Sequence, residues 1–311
     1  MKPRTYKLLK MHMMLKYFFL ILFVIMFIVT TVYGGGHVII VVIDGARYSE
    51  TFGAQDKYIP VMWNSLRTQG TIFTNMRNEG KTSTCPGHSA MLTGEWQFIV
   101  NDGTERPHSP TIFEYFRKQT SLPAQSCFVV SGKKKLNVLT FSTDPQYGAA
   151  YGASFVFGDT SDVETWEKVS QTIDQYHPQL MIVNLPQVDL YGHENNWNAY
   201  VGAIHRADSI VGLLWNKIQS DSVYRNTTTL FVTNDHGRHD DQHGGFRDHG
   251  DSCEGCRHIM LLALGPNFAG NAVVADTTLQ VDLAPTAGYL MGITIPPVLG
   301  KNILEKQFQH R

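Results

Sequence analysis

The chain has 311 residues, 43% hydrophobic and 17% charged, enough for one large or two small globular domains and too apolar for a disordered chain. Its formal net charge of -1, with 26 Lys and Arg against 27 Asp and Glu, excludes the electrostatic footprint of a nucleic-acid binder. An anionic substrate must therefore be attracted by local charge.

Basic residues Lys2, Arg4, Lys7, Lys10 and Lys16 precede an unbroken apolar run from Tyr17 to Val29, followed by the uncharged stretch 30–36. This reads as an export signal or a single membrane anchor over residues 1–36, with Val32 and Gly34 suited to signal cleavage. The uncharged stretch is also close to the roughly 20 residues that span a bilayer. Either way the basic flank stays in the cytoplasm and the rest, residues 37–311, is exported. The four cysteines, Cys85, Cys127, Cys253 and Cys256, then meet an oxidising compartment. Cys253 and Cys256 form a C-x-x-C pair that reads as a disulfide or free thiols, being half of a structural zinc site without a second thiol pair.

HVIIVVID, His37 to Asp44, is a continuous apolar run ending in a carboxylate, as in a central buried strand. A helix-like PVMWNSLRTQG and a strand-like TIFTNM lead to TSTCPGHSAMLTG, Thr82 to Gly94, where hydroxyls, a proline and small residues open a helix. Thr84 there is the candidate nucleophile, placed where free helix N–H groups meet an anion. A helix near Thr111 to Lys118, the strands CFVVSG and SFVFG, the amphipathic helix VETWEKVSQTIDQY and the buried strand LMIVNLP follow. Next come a long helix over Trp197 to Gln219, the buried strands TTTLFVTND and HIMLLALGP, and a last helix over about Leu279 to Met291.

Strand and helix alternate throughout, which predicts an α/β three-layer sandwich with a mostly parallel central sheet. A small irregular cap over the site is expected within about 101–160. In such sheets ligands bind beyond the carboxyl ends of the strands, and three strands end that way in Asp44, in Asp189, and in Asp235 with His236. Asp44, Asp235 and His236 with the Thr84 oxygen make one metal site, of ligand types that zinc or manganese accepts. Asp189 and His193, four apart, make a second with one later histidine from the group His236, His239, His243, His249 and His258.

The order Asp44, TCPGHSAMLTG, DLYGH, TNDHG, RDHGD and VDLAPTAGYLMGITIP resembles the alkaline phosphatase superfamily, closest to its nucleotide pyrophosphatase/phosphodiesterase-like branch, over nearly all of His37 to Gly300. The resemblance implies two divalent metal ions, zinc or else manganese, held by Asp44, Thr84, Asp189, His193, Asp235, His236 and His249, with His243 as the fallback for the last. It implies attack by the Thr84 oxygen on phosphorus and a phosphothreonine intermediate. Asn101 resembles an asparagine that contacts a phosphoryl oxygen, although NDG is also a turn signal. Lys133 and Lys135 have the spacing of a Lys-x-Arg pair that grips phosphate in some monoesterases, without the arginine's bidentate fork, and a solvated basic loop is the other reading.

The expectation is thus an exported phosphoric ester hydrolase acting on a small substrate, phosphodiester or pyrophosphate ahead of phosphomonoester. A membrane-attached phosphoryl-group transferase and a non-catalytic binding protein of the same fold are the alternatives. A sulfatase would need cysteine or serine where Thr84 stands, with C-x-P-x-R spacing; Cys85 is one residue late and His88 replaces the arginine. The absence of a large inserted domain argues against a phosphoglycerate mutase.

Overall fold

The computed structural model describes residues 35–304. The expected export signal or anchor and the last seven residues lie outside them. Among the described residues no helix is long and apolar enough to cross a membrane.

β-Branched and aliphatic runs form the strands in chain order: β1 (His37–Ile43), β2 (Gly70–Arg77), β3 (Cys127–Ser131), β4 (Ser154–Phe157), β5 (Leu180–Leu185), β6 (Thr228–Thr233), β7 (His258–Leu264), β8 (Ala272–Val274) and β9 (Thr278–Leu279). The helices are α1 (Thr84–Thr93), α2 (Ile112–Thr120), α3 (Asp162–Tyr176), α4 (Gln187–His193), α5 (Trp197–Ser220) and α6 (Leu283–Leu290). Their starts follow local chemistry. Thr111 and Glu114 form a reciprocal capping box on α2, and the Ser161 and Asn196 side chains accept from Glu164 N and Ala199 N to open α3 and α5.

One nine-stranded sheet runs β4-β3-β5-β1-β6-β7-β2-β8, with β9 beside β2. β7 is antiparallel to both its neighbours, and the other pairings are parallel. β1 is central because it can be buried on both faces. Ile39, Val41 and Ile43 share a core with residues of α3 and α5, while Val38, Ile40 and Val42 are equally buried on the face where α6 packs on β1. Each such side chain contributes about 1.5–3 kcal/mol of burial. Helices on both faces make the three-layer sandwich expected.

The helix and the two strands expected within 101–160 are present as α2, β3 and β4. Val129 and Val130 are buried between β4 and β5, a burial that ties this stretch into the sheet. PVMWNSLRTQG forms a wide helical turn, Met62–Leu66, then a tight one, Arg67–Gln69, instead of a regular helix. The Asp208 carboxylate on α5 holds its start by accepting from Val61 N at 2.8 Å and Met62 N at 2.7 Å. β8 and β9 carried too few residues to show a period.

Candidate active site

The site follows from strand register. On β1, Ile43 pairs with Leu185 of β5 and Val42 with Thr233 of β6, so the three adjacent parallel strands end at one edge. Asp44, the start of α4, and Asp235 with His236 leave from that edge together. Helix α1 arrives from β2 and packs over the same edge, close enough that a Cβ on Gly87 would lie 2.4 Å from Asp235 O. Only glycine lets α1 approach so closely.

Asp44, Thr84, Asp235 and His236 are all fully or almost fully buried. The His236 Nε2 atom lies 3.3 Å from Asp235 Oδ2 and 3.7 Å from Asp44 Oδ1. Asp235 Oδ2 and His236 Nε2 are buried with no hydrogen-bond partner among the described residues. The other His236 nitrogen, Nδ1, donates to Gly237 O at 2.8 Å, which fixes a tautomer with the Nε2 lone pair facing the carboxylates. Orphaned donors of this kind, backed by a ring N–H on a carbonyl, suit a divalent cation.

A second cluster adjoins it. Donor atoms of Asp189, His193 and His249 lie within 4.8 Å of one another. His193 sits one turn after Asp189 on α4, 3.4 Å away, and its Nε2 faces His249 Nε2 at 3.1 Å. His249 Nδ1 donates to Thr82 O at 2.8 Å, again leaving the Nε2 lone pair inward. Burial and the adjacent His236 push the His249 pKa down to about 2, so the ring is neutral. The His236 and His249 rings stack with centroids 3.8 Å apart, joining the two clusters. His243, the fallback, instead bonds Asp240 Oδ1 in an exposed loop and is not part of this cluster. Both clusters fit divalent cations by donor type and lone-pair direction.

Lys133 does not lie in a solvated loop. Its Nζ donates to Asp44 Oδ1 at 2.8 Å, Asp189 Oδ2 at 2.6 Å and Thr84 Oγ1 at 3.3 Å. Burial opposes its charge, yet Asp44, Asp189 and Asp235 hold the ammonium above its ordinary range. Burial likewise opposes ionisation of Asp189, but Lys133 and His193 keep it well below the usual carboxylate range. For Asp44, burial and then Asp235 push the carboxyl up. Lys135 is placed otherwise: its Nζ donates to Asn101 O at 3.0 Å and Oδ1 at 3.2 Å. Asn101 Oδ1 also accepts from Cys85 N at 2.8 Å, at the first turn of α1 beside Thr84.

Three contributors were missed in the sequence. Asn184, within the apolar β5, donates to Asp44 Oδ2 at 2.7 Å, and the same amide nitrogen lies 3.2 Å from His88 Nε2. His88 Nδ1 is 2.9 Å from Thr84 O and 3.4 Å from Asp235 Oδ2, so His88 ties α1 to both strand ends. Arg238, fully buried, donates to Asp189 Oδ1, Phe246 O and Arg247 O. A polar residue inside an apolar strand was the available signal for Asn184. Arg238 gave none beyond its nearness to Asp235.

Two family models match the chain: Type I phosphodiesterase / nucleotide pyrophosphatase over residues 38–97, which hold Asp44 and Thr84, and the Metalloenzyme superfamily over 142–275, which hold Asp189, His193, Asp235, His236 and His249. The chain is 28% identical over 136 residues to a 2,3-bisphosphoglycerate-independent phosphoglycerate mutase of Legionella pneumophila, covering 43% of this chain and 24% of that one. To the Haloarcula marismortui protein of the same name it is 27% identical over 207 residues, 66% of this chain and 35% of that one. The chain thus spans about a quarter to a third of the length of these relatives. In fold it is similar to murine ectonucleotide pyrophosphatase / phosphodiesterase 5 in an inactive form with AMP, with a TM-score of 0.64, 14% identity and coverage of 87% and 99%. It is also similar to a phosphonate monoester hydrolase from Silicibacter pomeroyi, with a TM-score of 0.61, 14% identity and coverage of 86% and 76%.

Proposed function

Taking the chain as a member of the alkaline phosphatase superfamily, we propose that it is a metal-dependent phosphoric ester hydrolase with Thr84 as nucleophile, acting on small phosphodiesters or pyrophosphates. The observation that carries this reading is the meeting of Thr84, at the first turn of α1, with two adjoining carboxylate-imidazole clusters and one partly buried ammonium.

Asp44, Asp235 and His236 would hold one divalent cation beside Thr84, and Asp189, His193 and His249 the other. Bound there, such cations supply Lewis acidity that favours an oxyanion over an alcohol and neutralises charge on phosphorus oxygens. The chain's own groups set the rest. Lys133 donates to Thr84 Oγ1, which stabilises the alkoxide relative to the alcohol and so aids attack on phosphorus. Asn101 uses its oxygen on Cys85 N, which leaves its amide NH2 to offer a substrate oxygen at the same helix turn. His88 and Asn184 hold Asp44, Asp235 and α1 in register, so the nucleophile's position does not depend on substrate. The basic residues and the apolar run that follows them, Lys2 to Val29, support an exported location.

A phosphomonoesterase is the second reading, favoured by Lys133. An ammonium 3.3 Å from the nucleophile suits the extra charge of a monoester dianion. The full chain loaded with zinc is to be assayed on nitrophenyl phosphate, a nitrophenyl nucleotide diester and nitrophenyl sulfate, each beside Thr84→Ala. A dominant diester rate lost in Thr84→Ala supports the proposal, and a dominant monoester rate replaces it with the second reading. No cleavage above the Thr84→Ala background removes both and leaves a transferase or a binding protein.

A further inference from the structure

The loop between β6 and β7 does more than deliver His249. It returns at Cys253-Glu254-Gly255-Cys256, and the turn is pressed against the backbone that follows the Asp235-His236 pair. A Cβ on Gly255 would lie 2.4 Å from Arg238 O and 2.6 Å from Asp240 N, so glycine is needed for this approach. Gly237 N donates to Cys256 O at 2.8 Å, pinning the same two segments. The second thiol pair missing from the sequence is therefore replaced by side chains that only the fold brings near.

Donor atoms of His239, Asp251 and Cys256 lie within 4.8 Å of one another. His239 Nε2 is 3.2 Å from Asp251 Oδ2, yet that nitrogen is shielded from solvent and makes no hydrogen bond among the described residues. Asp251 Oδ1 accepts from Cys253 N at 2.9 Å, which holds the carboxylate at the start of the C-x-x-C turn. Neither thiol is in a disulfide. The Cys253 sulfur itself groups with Asp240 and His243. Tetrahedral zinc takes thiolate at about 2.3 Å and imidazole or carboxylate at about 2.0–2.2 Å, so His239, Asp251 and Cys256 close on one ion, with Cys253 as the fourth ligand once its thiol turns toward Cys256.

We propose that Cys253, Cys256, His239 and Asp251 form a structural zinc site, separate from the catalytic clusters, that clamps the base of the loop carrying His249. Binding would release the two thiol protons to solvent. The neighbouring Asp240 and His243 stay outside it, since His243 Nδ1 is held by Asp240 at 2.6 Å on an exposed surface. The clamp has a direct path to the catalytic face, because His239 N donates to Asp248 O and His249 Nδ1 to Thr82 O.

The test uses the full chain loaded with cobalt(II) in place of zinc. Wild type is expected to show thiolate-to-cobalt charge transfer in the near ultraviolet, lost in Cys253→Ser/Cys256→Ser and retained in Asp189→Asn. With zinc, the double variant is expected to bind one equivalent less than wild type. These readouts do not depend on ester hydrolysis, so they separate this site from the proposed activity. Should the double variant fail to fold, alkylation mapping of wild type decides: zinc protects Cys253 from iodoacetamide, and a chelator restores its reaction. A charge-transfer band that survives in the double variant, a Cys253 equally reactive with and without zinc, or a Cys253–Cys256 disulfide in purified protein each overturns the proposal.

Discussion

Thr84 and Lys133 meet within one hydrogen bond, and that contact sets the first expectations. Thr84→Ala should lower kcat by about a thousandfold or more, since it removes the oxygen proposed to attack. Lys133→Ala should lower monoester turnover by about tenfold to a hundredfold, and diester turnover by less, because the lost charge serves the dianion more. Comparison of kcat/KM on paired nitrophenyl esters measures both. A third residue speaks to stability alone. Asp162 begins α3, fully buried, with Oδ1 accepting from Gln187 N and Oδ2 without a partner among the described residues. Burial raises its pKa from the ordinary 3.8 to about 7. The folded state therefore binds the proton more tightly than the unfolded state. The stability this proton contributes is complete below about pH 4 and is lost as pH rises through about 7. Asp162→Asn should remove that dependence and stabilise the protein above pH 7 by roughly 1–4 kcal/mol, seen as a rise in Tm at pH 8 with little change at pH 4.

Helix α1 is the element on which the site turns. Its starting residues, Ser83 and Thr84, could be read from the sequence, and so could the Gly94 that ends it with φ 76°. Its closeness to Asp235 could not. Gly87→Ala should cost about 1–3 kcal/mol through overpacking and displace Thr84, so urea unfolding and kcat should both suffer. Gly202→Ala in α5 is the control. Nothing lies within 4 Å of the added Cβ, and the exchange should stabilise by about 0.5–1 kcal/mol without touching activity. Equal losses from the two variants would remove the close-packing account. The short strands β8 and β9 show the converse limit, since two or three residues at a sheet edge carry no period of their own.

At the scale of the whole molecule, three buried carboxylates meet Lys133 and Arg238 at one sheet edge, with imidazole nitrogens turned inward. An ion that binds the folded chain and not the unfolded one stabilises it by about 2.7 kcal/mol at a hundred times its Kd. Zinc should then raise Tm by several degrees, and a chelator should reverse it. The shift should shrink in Asp189→Asn and persist in Thr84→Ala. Calorimetry with and without zinc reads this directly, and an unchanged Tm would count against metal binding in either cluster.

The apolar runs and their period determined the α/β layers, because a strand buried on both faces must be apolar throughout and a helix must show one apolar stripe. Chain order alone also placed Asp44, Asp189, Asp235 and His236 near strand ends, since each lies within four residues of the end of its strand. Tertiary structure decided what those ends face. Asn184 looked like one polar residue in a core strand until register set it against Asp44 and His88, and Lys133 looked like part of a basic loop until β3 took its place beside β5. The resemblance already preferred His249 to His243, and the fold seats it there; the meeting of His239 and Asp251 with Cys256 belongs to the fold alone. Such contacts join residues far apart along the chain or within an aperiodic loop. Spacing carries no information about them, and only the packing of α1 and the β6–β7 loop onto the sheet edge does.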